Sequence, residues 1–287
     1  MDAKFHPAMA AIAAGDLEKF KALVTAEPSL ATARSNRSHP TLLQCLVLDG
    51  KDKPHHLEMV QVLIDAGAEL NEPFGAAASI DNKPAAELLL DRGAAIDGNG
   101  SWSPLEEALY WNNKNVLALL LERGAKIQNL RAAAGLGRTD LIETYFNAGG
   151  SLKPEAGKID WPFGDLQTIT CSNLNPEVKQ SLHNNASKWS EDQQDIVNNA
   201  FVYACMHGHL DAAQLLLDKG AQINVIPGGF DFAGTGLHYA AMNGHRAMVD
   251  FLLVHGADRS IKDPKVGSTP AGWADHGGHP ELRDLLS

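Results

Sequence analysis

The stretch TGLHYAAMNGH (235–245), followed by LLVHGA at 252–257, decides how this chain folds. It reads as a threonine cap, a short apolar helix, a glycine turn, a second helix rich in leucine and a closing Gly-Ala. Thr or Ser at such a start accepts from the first unpaired amides of a helix. A glycine about nine residues on supplies a left-handed residue that ends it. The opening half returns as SPLEEALYWNN (103–113) and TPAGWADHGGH (269–279), each with proline at the first helical position, where its missing amide costs nothing. The closing half returns as LIDAGA (63–68), LLDRGA (89–94), LLERGA (120–125) and LLDKGA (216–221), with a weaker copy, YFNAGG, at 145–150.

Self-similarity at a fixed period marks a repeat array in which each unit buries its apolar face on the next. The closing glycines, Gly67, Gly93, Gly124, Gly149, Gly220 and Gly256, are spaced by 26, 31, 25, 71 and 36 residues. Only the gap of 71 holds much more than one unit. The TPLHxAAxxGH…LLxxGA pattern resembles the ankyrin repeat. That resemblance implies an all-α fold, an ankyrin-repeat solenoid of about eight helix-turn-helix units with short hairpin fingers and one insertion. Units fall at about 5–35, 39–71, 72–97, 101–128, 129–152, 197–225, 233–260 and 267–287. The expected organisation is 1–152 for units one to five with the N-terminal cap, 153–195 for a partly helical insertion, and 196–287 for units six to eight with the C-terminal cap. Where the family places its turn glycine, this chain has Gly15, Gly50, Asp81, Asn112, Gly137, Gly208, Gly244 and Gly278. The two exceptions are the side chains that best tolerate positive φ.

Composition narrows the function classes. With 44% hydrophobic residues and no apolar run near the ~20 residues that span a bilayer, a membrane protein is excluded. The first twenty residues lack a basic start and a cleavage site, so no export signal is expected. Three scattered cysteines, Cys45, Cys171 and Cys205, form neither a disulfide framework nor a C-x-x-C pair, which fits a reducing cytoplasm. A formal charge of −11 without a basic stripe argues against nucleic acid. A monomer is expected.

Residues 153–195 break the pattern yet contain Trp161, Phe163, Leu166, Leu174, Leu182 and Trp189, more apolar bulk than disordered segments keep. They read as a strut or divergent repeat packed on the array, or as a lid over its groove with Trp161, Pro162 and Phe163 at the tip.

The ankyrin resemblance implies recognition by finger tips and by two positions near the end of each first helix, on the concave face. Carried over, these are Tyr110 and Trp111, Met206 and His207, Met242 and Asn243, and His276 with Gly277. Three residues before each pair stand Glu107, Tyr203, Tyr239 and Trp273. The chain is only 6% aromatic, so this gathering is a concentration. The fingers add Trp102 from NGSW (99–102), and Phe230 and Phe232 from VIPGGFDFAG (225–234). Such amphipathic rings are common interface anchors.

By resemblance, His238 bridges units, and His56, His209, His245 and His279 occupy the second place of the Gly-His turn. No H-E-x-x-H, C-x-x-C or facial-triad spacing points to a metal, and no cofactor motif is present. Nothing matches G-x-S-x-G or a phosphate loop. The leading expectation is therefore a scaffold or adaptor that binds a protein partner. The alternative is an enzyme or small-molecule binder whose aromatic groove, with Glu106 or Glu107 as acid or base beside His207 or His276, is closed by the insertion.

Overall fold

A computed structural model describes residues 3–35, 40–98, 103–157, 192–228, 230 and 232–287. Among them every regular element is helical, with isolated bridges at Arg34 with Thr41 and at Phe146 with Leu152. The expected hairpin fingers therefore carry no regular strand in the described residues. Two compact bodies divide the described chain after residue 126.

In the first body the paired helices are α1 (His6–Ala14) and α2 (Leu17–Ala26), α4 (Leu42–Asp49) and α5 (His56–Asp65), α6 (Asn71–Ser79) and α7 (Lys83–Asp91), and α8 (Pro104–Tyr110) and α9 (Lys114–Glu122). A single turn, α3 (Ser29–Thr32), follows the first pair. The second body holds α10 (Leu130–Gly135) and α11 (Thr139–Thr144), α12 (Gln193–His207) and α13 (Leu210–Asp218), α14 (Gly236–Met242) and α15 (Arg246–Val254), and α16 (Pro270–His276) and α17 (Pro280–Leu286). The helix α12 starts inside the stretch assigned to the 153–195 insertion; Trp161, Phe163 and the rest of 158–191 lie outside the described residues.

The two helices of a unit are built differently. Second helices are one-sided: α15 buries Met248, Val249 and Leu252 while Arg246 and Asp250 pair in solvent. First helices are buried nearly all round, as with Leu42–Val47 of α4 and Gly236–Ala241 of α14, because neighbours sandwich them. Their starts carry reciprocal caps, Thr41 with Gln44, Ser103 with Glu106 and Thr235 with His238, each contributing about 1 kcal/mol.

The turn between the helices carries a left-handed residue at Gly15, Asp81, Asn112, Gly137, Gly208, Gly244 and Gly278, as the alignment expected. Gly50 is the exception, with φ −94°: the extra KDKPH residues move the left-handed position to His55, at φ 58°. In the weak fifth copy the positive φ falls on Gly150 rather than Gly149. At Gly137 and Gly208 a second reason for glycine is visible. A Cβ there would lie 2.7 Å from the His209 ring and 3.0 Å from the His245 ring, and one at Gly244 would run into His279. Asp81 differs: its carboxylate accepts from Val116 N (2.8 Å) and Asn115 Nδ2 (2.6 Å), so it caps the next unit's second helix.

Gly256 has φ 88° but open space beyond its Cα. Gly256→Ala should therefore cost only the left-handed backbone term, roughly 1–2 kcal/mol, and Gly244→Ala more. Adding His279→Ala should recover part of the Gly244→Ala loss. Equal denaturation midpoints for the two alanine variants would show that the ring imposes nothing on the turn.

Candidate functional site

The residues expected to recognise a partner separate by burial. In the first body Trp111 is 45% exposed at the end of α8, standing edge-on to half-buried Tyr110 with ring centroids 4.9 Å apart. Its indole Nε1 donates to Glu107 Oε1 at 2.8 Å, one helical turn earlier. That bond holds a large ring in solvent in one orientation. Trp102 lies outside the described residues.

In the second body the expectation of solvent-facing aromatics is corrected. Tyr203, Met206, Phe230, Tyr239 and Trp273 are all buried. Tyr203 meets Phe230 at 5.3 Å, Phe230 meets Tyr239 at 5.2 Å, and Tyr239 meets Trp273 edge-on at 5.1 Å. The rings form a column across three consecutive units, with Phe230 of the finger set between Tyr203 and Tyr239. The physical reason is position: a side chain one turn before the end of a sandwiched first helix faces the finger root. Polar ends of the column grip the loops, the Tyr239 hydroxyl donating to the Phe232 carbonyl and Trp273 Nε1 to the Asp263 carboxylate (Oδ2) at 3.1 Å. Asn199 adds a bond to Gly228 O at 3.0 Å. Removing a ring so placed costs roughly 3–5 kcal/mol.

What remains accessible here is smaller. Phe232 is 48% exposed and His276 is exposed, while His207, Met242 and Asn243 are half-buried. Asn243 Nδ2 donates to Met206 O (3.1 Å) and Tyr239 O (3.0 Å), so its amide joins neighbouring units. The two phenylalanines of FDF divide, with Phe230 buried and Phe232 exposed; regular extended chain would put residues two apart on one face, so the spacing does not account for the division.

The histidines are largely structural. His238 Nδ1 accepts from Thr235 N at 3.2 Å, which leaves Nε2–H to donate to Ser268 O of the next unit at 3.2 Å. His209 Nε2–H donates to Gly135 O and His245 Nε2–H to Met206 O. Burial lowers the pKa of His56, His209 and His238 from its ordinary value. For Asp263 burial would raise the pKa, but donation from Val266 N, Trp273 Nε1, Ser268 N and Lys265 N outweighs it and holds the carboxyl low. Glu106 is committed to its cap with Ser103, and burial pushes the Cys205 thiol up, so neither is poised for acid-base or nucleophilic chemistry. Among the described residues no three His, Cys, Asp or Glu side chains gather as a metal site would require, and no helix is long and apolar enough to cross a membrane.

Stacked helix pairs, left-handed turns and histidine bridges define a repeat array of the ankyrin type. Residues 52–131 match the family model for ankyrin repeats in three copies, and residues 201–253 the one for ankyrin repeats in many copies. The chain is an ankyrin-repeat protein. It is similar to palmitoyltransferase AKR1 of Lachancea kluyveri, 32% identical over 101 residues, which are 35% of this chain and 12% of that protein. It is also similar to serine/threonine-protein kinase TNNI3K of Mus musculus, 32% identical over 135 residues, 43% of this chain and 16% of that one. The matched region spans less than a fifth of either relative.

The buried histidines set a pH dependence. A folded pKa below the unfolded value of ~6.5 means that the unfolded chain binds more protons, so this stability is complete above that value and falls as pH drops below it. Denaturant midpoints should decline between about pH 7 and 5, and His238→Gln, though less stable at pH 8, should show a shallower decline. An unchanged slope would mean that His238 does not carry it. The Asp263 contribution follows the same sign in a lower window, below its ordinary value near 3.8.

Proposed function

We propose that this chain is a protein-binding scaffold or adaptor that captures a partner through first-helix ends and finger tips. Ankyrin repeats are generally protein-interaction modules. The observation that carries the reading is Trp111. A tryptophan 45% exposed, fixed by Glu107 and braced by Tyr110, contributes little to packing and offers a preorganised anchor. Phe232 offers a second exposed ring in the other body. The partner anchors in this reading are Glu107, Tyr110, Trp111, His207, Phe232, Met242 and His276, with the aromatic column as their support. In this reading the protein acts as a monomer in a reducing cytoplasm, in keeping with the scatter of its three cysteines along the sequence.

Trp111→Ala and Phe232→Ala should leave the melting temperature within about two degrees, because little packing is lost. Each should weaken capture of the native partner, measured by cross-linking and quantitative mass spectrometry, by roughly tenfold or more, the factor that ~1.4 kcal/mol implies. Undiminished capture by both variants would remove the basis of the proposal.

A further inference from the structure

The loop between the seventh and eighth units, 258–268, is built around one buried carboxylate. Asp263 is 3% exposed and accepts from Lys265 N (2.9 Å), Val266 N (2.8 Å), Ser268 N (2.8 Å) and Trp273 Nε1 (3.1 Å). The main chain closes the same turn, with Asp263 N donating to Ser268 O and Gly267 N to Asp263 O. Four donors on one anchored carboxylate fix the loop and aim its other side chains outward. Arg259, Lys262 and Lys265 are exposed, and Val266 is 68% exposed. Between 259 and 266 the single acidic residue is the one turned inward. Asp258, at the base, is occupied by Ser260 N and Oγ.

Lys265 then reaches across to the preceding finger, its Nζ 3.6 Å from the centroid of the Phe232 ring. That cation–π contact makes the two tips one surface, in which Phe232 and Val266 flank Lys265. A chain of formal charge −11 thus presents, at one rigid place, cations interleaved with exposed apolar side chains. Apolar atoms held in water beside unneutralised cations gain most from a partner that covers the former and offsets the latter.

We infer that this double finger tip is a docking surface for an acidic partner segment carrying aliphatic or aromatic side chains among its carboxylates. The inference rests on the adaptor reading and specifies the chemistry of what is bound. Carboxylates meet Lys262, Lys265 and Arg259, while an apolar side chain covers Val266 and the Phe232 edge. Attraction between exposed charges is screened by salt, whereas the apolar contact is not.

The test is selection of a randomised peptide display library against the full chain, with enriched peptides titrated by fluorescence polarisation. Acidic peptides with interspersed apolar residues should be enriched. Their affinity should fall tenfold or more in the double variant Lys262→Glu and Lys265→Glu at low salt, with the difference shrinking as salt rises. Val266→Ser should weaken binding roughly fivefold at any salt. All three side chains are exposed, so unchanged melting curves should accompany these losses. Enriched peptides that are not acidic, or that bind the double variant as well as the parent, overturn the inference. If they depend on Trp111 and not on Lys262 or Lys265, the adaptor reading stands and this tip assignment falls. If no peptide is enriched, both fall.

Discussion

The last carbonyls of a helix lack partners within it, and at four first-helix ends among the described residues the next unit fills that vacancy. Asn82 donates to Val47 O (3.2 Å), Asn113 to Ala78 O (2.6 Å), His209 to Gly135 O (3.1 Å) and His245 to Met206 O (3.0 Å). Each donor stands at the start of its unit's second helix, so one side chain both begins a helix and sets the stacking register. Asn and neutral His are suited to this because both present an N–H without carrying charge into a half-buried site. The latch also dictates what lies beneath it: a ring folded back onto the preceding turn leaves space only for glycine, as at Gly137 and Gly208.

Burial of the recognition candidates follows from the same stacking. A latched unit presses its first helix between two neighbours, so side chains along that helix become core whatever their polarity. The column Tyr203, Phe230, Tyr239 and Trp273 is the result, and its hydroxyl and indole ends tie Phe232 and Asp263 of the neighbouring loops to the stack. Recognition is left to what the stack cannot cover, namely the last residue of a first helix and the loop tips. Rigidity in the column serves affinity there, since a loop already ordered loses little freedom on binding.

Much of this was readable beforehand. The threonine and serine caps follow from local rules in which one residue type satisfies one backbone need, whereas the turn positions of Asp81 and Asn112 and the His238 bridge follow from the ankyrin resemblance. Gly50 misled because the extra KDKPH residues offered a second place for the turn, and local preference alone does not choose between Gly50 and His55. The aromatic residues misled for a different reason. The ankyrin resemblance places Tyr239 and Trp273 on a common face but does not say whether a finger covers that face. The alternation in PGGFDF gives no sign of the outcome either, since residues two apart share a face in extended chain while Phe230 is buried and Phe232 exposed. The carboxylate at the heart of the 258–268 loop left no such trace, since Asp in KDP reads as an ordinary exposed turn residue.

The central claim is that the aromatic column is structural core and that recognition falls to the few side chains outside it. Hydroxyl-radical footprinting of the free protein, read residue by residue with mass spectrometry, tests this most directly. The account predicts fast modification of Trp111 and Phe232 and strong protection of Phe230, Tyr239 and Trp273. Tyr239 and Trp273 reacting as fast as Trp111 would contradict it, returning the column to the surface and the recognition site with it.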